Sequence, residues 1–173
     1  MATEAADKEL ATFLAHSVEL ESEALERYQE LAESMAQHHN DDVAKFFLRM
    51  AREADHHLTE VREIAAECDL PELKPWEFNW PEAEPPETAS YEAVHYRMSL
   101  REAMTLALGN ERSAQSYYAQ AAGWAKHPET EKVAQRFADE ESAHAAELET
   151  MISELVGKGE FHRVEDDDPH MPE

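Results

Sequence analysis

The chain of 173 residues has 39 acidic side chains against 15 basic ones, a formal net charge of −24. That balance excludes a surface built to hold nucleic-acid phosphates, which needs clustered Lys and Arg, and it favours attraction of cations. The single cysteine, Cys68, excludes an internal disulfide, a Cys-x-x-Cys redox pair and a four-cysteine iron site.

The length suits one domain with a sizeable core, and four glycines in a chain rich in Ala, Leu and Glu favour helix over sheet. Helical periodicity predicts a first helix over about residues 4–36, with Leu14, Val18, Leu25, Tyr28 and Met35 along one stripe. Gln37-His38-His39-Asn40 breaks it, and Asn40 is the expected N-cap of a second helix over about 40–68. Pro71, Pro75, Pro81, Pro85 and Pro86 forbid a continuous helix across 69–98, while Trp76, Phe78 and Trp80 suit a crossover laid along a surface. Ser99-Leu100-Arg101-Glu102 reads as a capping box opening a third helix over about 99–124. Pro128 stands at the first position of a fourth, over about 128–156, which Gly157 and Gly159 are expected to stop. Residues 1–156 then form one domain, and 157–173 an acidic, disordered tail. The acidic, polar residues 1–7 carry no secretory signal and no apolar run approaches a membrane span, so a cytoplasmic setting with no membrane partner is expected.

One arrangement of acids occurs twice. Glu21 is followed by Tyr28 and then by Glu53-Ala54-Asp55-His56; Glu111 is followed by Tyr118 and then by Glu141-Ser142-Ala143-His144. The bare Glu-x-x-His is weak in so acidic a chain, where chance supplies roughly two copies. A third copy, Glu92-Ala93-Val94-His95, has no partner glutamate and is read as a decoy. Position discriminates. Glu21 and Glu53 are equally far from residue 37, and Glu111 and Glu141 from residue 126, so folding each hairpin at its own turn brings its two glutamates to one height. Glu21, Glu111 and Glu141 also fall on apolar stripes, and the i, i+3 spacing puts His56 and His144 on the faces of their glutamates.

An unpaired carboxylate on an apolar stripe costs several kcal/mol or takes up a proton. Four at one level are tolerable with cations shared among them, and two divalent metals bridged by Glu53 and Glu141 meet that need. Oxygen donors with one imidazole per metal suit iron, or manganese, better than structural zinc. Tyr28 and Tyr118 are core aromatics whose hydroxyls need partners, and their repetition offers each a bond to a ligand carboxylate. His57 reads as a packing or surface residue, His38, His39 and His127 as turn residues, and Met50, Met98, Met104 and Met151 as packing residues.

The duplicated pattern, its spacing and the long mid-chain connection resemble the ferritin-like di-iron carboxylate proteins, and within them the rubrerythrin branch, over roughly residues 8–156. The resemblance implies an all-α, ferritin-like four-helix bundle with a long crossover between its second and third helices. It implies two iron ions, with Glu21 and His56 on one, Glu111 and His144 on the other, and Glu53 and Glu141 bridging. Two features depart from rubrerythrins proper: one cysteine cannot build their rubredoxin-like module, and Ala114 stands where they carry an extra carboxylate. The implied activity is oxidation of Fe(II) by O2 or reduction of hydrogen peroxide, with an external electron donor for the latter, in iron homeostasis or oxidative-stress defence. Alternatives are a di-iron oxygenase, a manganese catalase, or a non-catalytic iron-binding or storage module. A homodimer is expected.

Overall fold

The computed structural model describes residues 2–80 and 94–163, the last five by their backbone alone. Four helices carry the described chain: α1 (Ala2–Gln37), α2 (Asp41–Ala65), α3 (Leu100–Trp124) and α4 (Pro128–Arg163), with no strand among the described residues. This is the all-α, ferritin-like four-helix bundle that the periodicity and the resemblance predict. Short turns pair α1 with α2 and α3 with α4 along their lengths. No helix among the described residues is long and apolar enough to cross a membrane.

The boundaries follow from local chemistry, with two corrections. His39 takes a left-handed φ of 60° to end the first turn. Asn40, expected to cap α2, makes no side-chain cap bond there. Its amide donates instead to Met98 O at 2.9 Å and Tyr96 O at 3.2 Å. That bond ties the approach to α3 to the α1–α2 turn, so α3 starts at the opposite end of the bundle from the one where α2 finishes. The connection therefore travels the length of α2, about 37 Å for a helix of this size. On the way Phe78 and Trp80 flank the His16 ring at 5.1 and 5.3 Å. His16 Nε2 accepts from the Asn79 N–H at 3.1 Å, so its proton sits on Nδ1, 2.9 Å from Thr12 O.

Ser99 and Glu102 form the expected reciprocal capping box, and α4 opens on Pro128 as expected. The second correction concerns the end of α4, which continues through Gly157 and Gly159 to Arg163. Glycine weakens a helix by about 1 kcal/mol without forbidding it, and none here adopts positive φ. Pro81, Pro85 and Pro86, Glu92 and Ala93 of the third Glu-x-x-His, and tail residues 164–173 lie outside the described residues.

Glu9 of α1 fastens the other turn, accepting from Lys126 N–H at 3.0 Å and His127 N–H at 3.1 Å. Glu9→Ala leaves these peptide donors to water, and a loss of about 1–2 kcal/mol is expected in urea unfolding.

The apolar core falls into two clusters. Tyr28, Met35, Phe47, Met50 and Leu148 lie in the one nearer the α1–α2 turn. Leu14, Leu20, Val61, Tyr118 and Phe137 lie in the other. Between them the stripe of every helix becomes polar or small: Glu21 follows Leu20, Ala54 and His57 precede Val61, Glu111 follows Leu108, and Glu141 lies between Ala138 and Ala145.

Candidate metal centre

Glu21, Glu111 and Glu141 are each 1 % exposed, held by three different helices at one level of the bundle. An oxygen of each, Oε2 in all three, is buried without a hydrogen bond. Buried carboxylate oxygens left unpaired are costly, and their convergence marks a place for a cation.

Imidazoles face these acids. His57 is buried, with Nδ1 2.9 Å from Glu141 Oε1 and 3.7 Å from Glu21 Oε2. The His144 ring stacks on it at 4.6 Å, with Nδ1 3.8 Å from Glu111 Oε2 and 3.9 Å from Glu141 Oε2. Donor atoms of His57, Glu141 and His144 lie close enough to hold one ion, and so do those of Glu53, Glu111 and His144. The mixed oxygen and imidazole donors suit a divalent redox metal, and the residues present fit such a group.

The protonation pattern is that of a metal-free site compensating its own charges. Burial alone would lower the pKa of His57, but Glu141 and Glu21 outweigh it and raise the imidazole to about 11. Burial, followed by the Glu141 carboxyl beside it, pushes Glu111 well above the usual carboxylate range. Burial also raises Glu21. Burial raises Glu141 too, yet Glu111 and His57 together hold it below its ordinary value. Imidazolium and carboxyl protons thus stand where cations would. Metal loading is expected to expel protons, and calorimetric titration in buffers of different ionisation enthalpy would measure that release.

Tyr118 donates to Glu21 Oε1 at 2.9 Å. Tyr28, its counterpart, accepts from Asn110 Nδ2 at 3.2 Å. Tyr118→Phe removes the bond that orients Glu21. It should lower stability by about 1 kcal/mol and metal affinity by about tenfold, read from melting curves and Co(II) titration.

The structure brings Glu21, Glu111, Glu141 and His144 together, but the predicted pair on α2 lies differently. The His56 side chain is 74 % exposed, with Nε2 3.4 Å from Glu60 Oε1, and joins neither donor group of the cluster. Glu53 is half-buried at the edge, with Oε1 3.4 Å from Arg49 Nε. His57, read from sequence as a packing or surface residue, fills the central place.

The reason is register. Burial along α2 repeats along α4 at a constant separation: Phe47 matches Ala134, Ala51 matches Ala138, Leu58 matches Ala145 and Val61 matches Leu148. On that register His57 matches His144, Glu53 matches the equally half-buried Glu140, and Ala54 matches Glu141. The salt bridges agree, with Arg49–Glu53 on α2 answering Arg136–Glu140 on α4. The sequence carried this signal. Arg49, Glu53 and His57 are spaced four and four, as are Arg136, Glu140 and His144.

A family model described as Rubrerythrin matches residues 12–152. Among curated proteins none matches. A solved structure of an uncharacterised conserved protein from Magnetospirillum magnetotacticum is similar at 38 % identity with a TM-score of 0.65, covering 84 % of this chain and 94 % of that one.

Proposed function

This chain belongs to the rubrerythrin family of ferritin-like di-iron proteins, and from that premise we propose that it oxidises Fe(II) with O2 or reduces hydrogen peroxide. The observation that carries the reading is the set of three buried carboxylates, each with an unpartnered oxygen, facing two stacked imidazoles between two apolar clusters. Iron fits the donor set; manganese, with the same preference for oxygen and imidazole, is the metal to compare with it.

Glu21, Glu111, Glu141, His57 and His144 are the proposed ligands, with Glu53 in reach from the rim. When bound, iron supplies the one-electron steps between Fe(II) and Fe(III) that no side chain here can perform. The chain's own residues do the rest. Three carboxylates balance the charge that rises on oxidation, and Tyr118 holds Glu21 in orientation through its Oε1. His57 gives up its imidazolium proton to become a neutral donor, and His144 presents Nδ1 toward Glu111 and Glu141. The apolar clusters on either side keep bulk water from the buried acids. One cysteine cannot hold a four-cysteine iron module, and an external electron donor is proposed for peroxide reduction.

The test is anaerobic Fe(II) loading, followed by parallel exposure to O2 and to hydrogen peroxide with optical detection of Fe(III). Faster oxidation by one of them than free Fe(II) shows supports the reading and identifies the oxidant. Iron that stays bound but oxidises no faster than free Fe(II) supports a storage role and contradicts the catalytic one.

A further inference from the structure

The lack of a carboxylate at Ala54 has a consequence for how metals are held. On the shared register, Glu141 reaches the middle of the cluster from α4, and the matching place on α2 holds a methyl group that is 3 % exposed. α1 and α3 are balanced by contrast, since Glu21 and Glu111, and Tyr28 and Tyr118, keep one constant separation. The asymmetry therefore lies in α2 alone.

Glu53 is the α2 carboxylate that reaches a donor group of the cluster, and it comes from the rim; Glu60, also on α2, lies on the other side beside Glu21, His57 and Glu141. The Glu53 side chain is 29 % exposed, and its donor group is Glu53, Glu111 and His144. Arg49 competes for it, with Nε 3.4 Å from Glu53 Oε1 and Nη2 2.5 Å from Glu147 Oε1. A cavity of about 240 Å³ opens beside it, lined by Arg49, Arg52, Glu53, His56, His57 and His144. The side of Glu21, His57 and Glu141 is bordered by Glu60 and Glu140 and has no cavity of comparable size, and the His57 side chain is 9 % exposed against 26 % for His144.

We propose that the two metal positions are inequivalent: a retained one enclosed by Glu21, His57 and Glu141, and an exchangeable one between Glu53, Glu111 and His144 that loads and empties through the Arg49 mouth. The inference rests on the centre binding metal, as proposed above. A metal in the second position must draw Glu53 away from Arg49 and share a donor set that borders water, so it is held less tightly and exchanges faster. The passing position suits a metal ion handled as substrate; the enclosed one suits a resident.

Anaerobic Co(II) titration of the whole chain, followed by a chelator chase, tests this. Two classes of site are expected, separated by at least about tenfold in affinity, with the chelator removing one equivalent quickly and the other slowly. Glu53→Ala should abolish the weak class and spare the tight one. Arg49→Met should strengthen the weak class several-fold by freeing Glu53. Ala54→Glu should bring the two classes together, and if that variant does not fold, the Glu53 and Arg49 variants still decide. No Co(II) bound to the wild-type chain would defeat the metal reading itself. Two equal classes, a single equivalent, or equal loss of both classes in Glu53→Ala would overturn the inequivalence while leaving that reading intact.

Discussion

Glu141→Gln is expected to remove tight metal binding, lowering affinity by more than about 100-fold, while the chain still folds. Glu141 contacts both imidazoles of the centre. Its Oε1 lies 2.9 Å from His57 Nδ1 and its Oε2 3.9 Å from His144 Nδ1. Glutamine keeps the volume and loses the charge, so packing between Ala138 and Ala145 survives while the anionic donor does not. The His57 imidazolium also loses its nearest carboxylate, and the metal-free chain should be less stable by about 2–3 kcal/mol, the usual worth of a buried charge-assisted bond. Glu154→Gln is the control on the same helix. Glu154 is exposed and far along α4 from the buried acids, and its loss should leave Co(II) affinity unchanged. Metal titration and urea unfolding of the two variants side by side separate the effects.

A second large effect is the pH dependence of the metal-free fold. His57 has a folded pKa of about 11 against an ordinary 6.5. Its contribution is fully present below the ordinary value and is lost as pH rises toward the folded one. Glu21 and Glu111 are shifted up as well and act in the same direction. Stability should therefore fall between about pH 7 and 10, by up to about 1.4 kcal/mol per pH unit for each proton held only in the fold. Glu141 has the opposite sign. Its pKa is lowered, so its contribution is present above the ordinary carboxylate range and is lost as pH falls through it. The metal-free chain should be most stable in mild acid. Metal displaces the same protons, so the loaded chain should gain stability over the window in which the metal-free chain loses it. Unfolding curves with chelator and with Co(II), at a series of pH values, would show the two slopes diverge.

The fold was legible because its signals are local and repeated. Periodic stripes, the Ser99–Glu102 box and Pro128 at a helix start each rest on contacts within one turn of chain. The asparagine at position 40 shows the limit. Its side chain suits an N-cap, but tertiary packing places the carbonyls of Tyr96 and Met98 beside it, and the distant bond wins. Gly157 shows another, since glycine lowers helix stability without dictating where a helix stops.

At the centre, Glu21, Glu111 and Glu141 were legible because each sits on an apolar stripe, where a carboxylate needs a reason. α2 was harder to read. Glu53-x-x-His56 copies the spacing of Glu141-x-x-His144, yet Glu53 falls one position off the buried stripe, and one residue rotates a side chain by about 100° around a helix. The stripe through Met50, Ala54, His57 and Val61 decides which histidine faces inward. Motif spacing alone cannot supply that, whereas the paired arginines at 49 and 136 could have fixed the register from sequence.

Anomalous scattering from crystals soaked anaerobically with Fe(II) would locate the metal among these side chains. The expected peak is enclosed by Glu21, His57 and Glu141, close to His144, with His56 turned to solvent. No peak among these acids, or a metal held by His56 in place of His57, would contradict this placement.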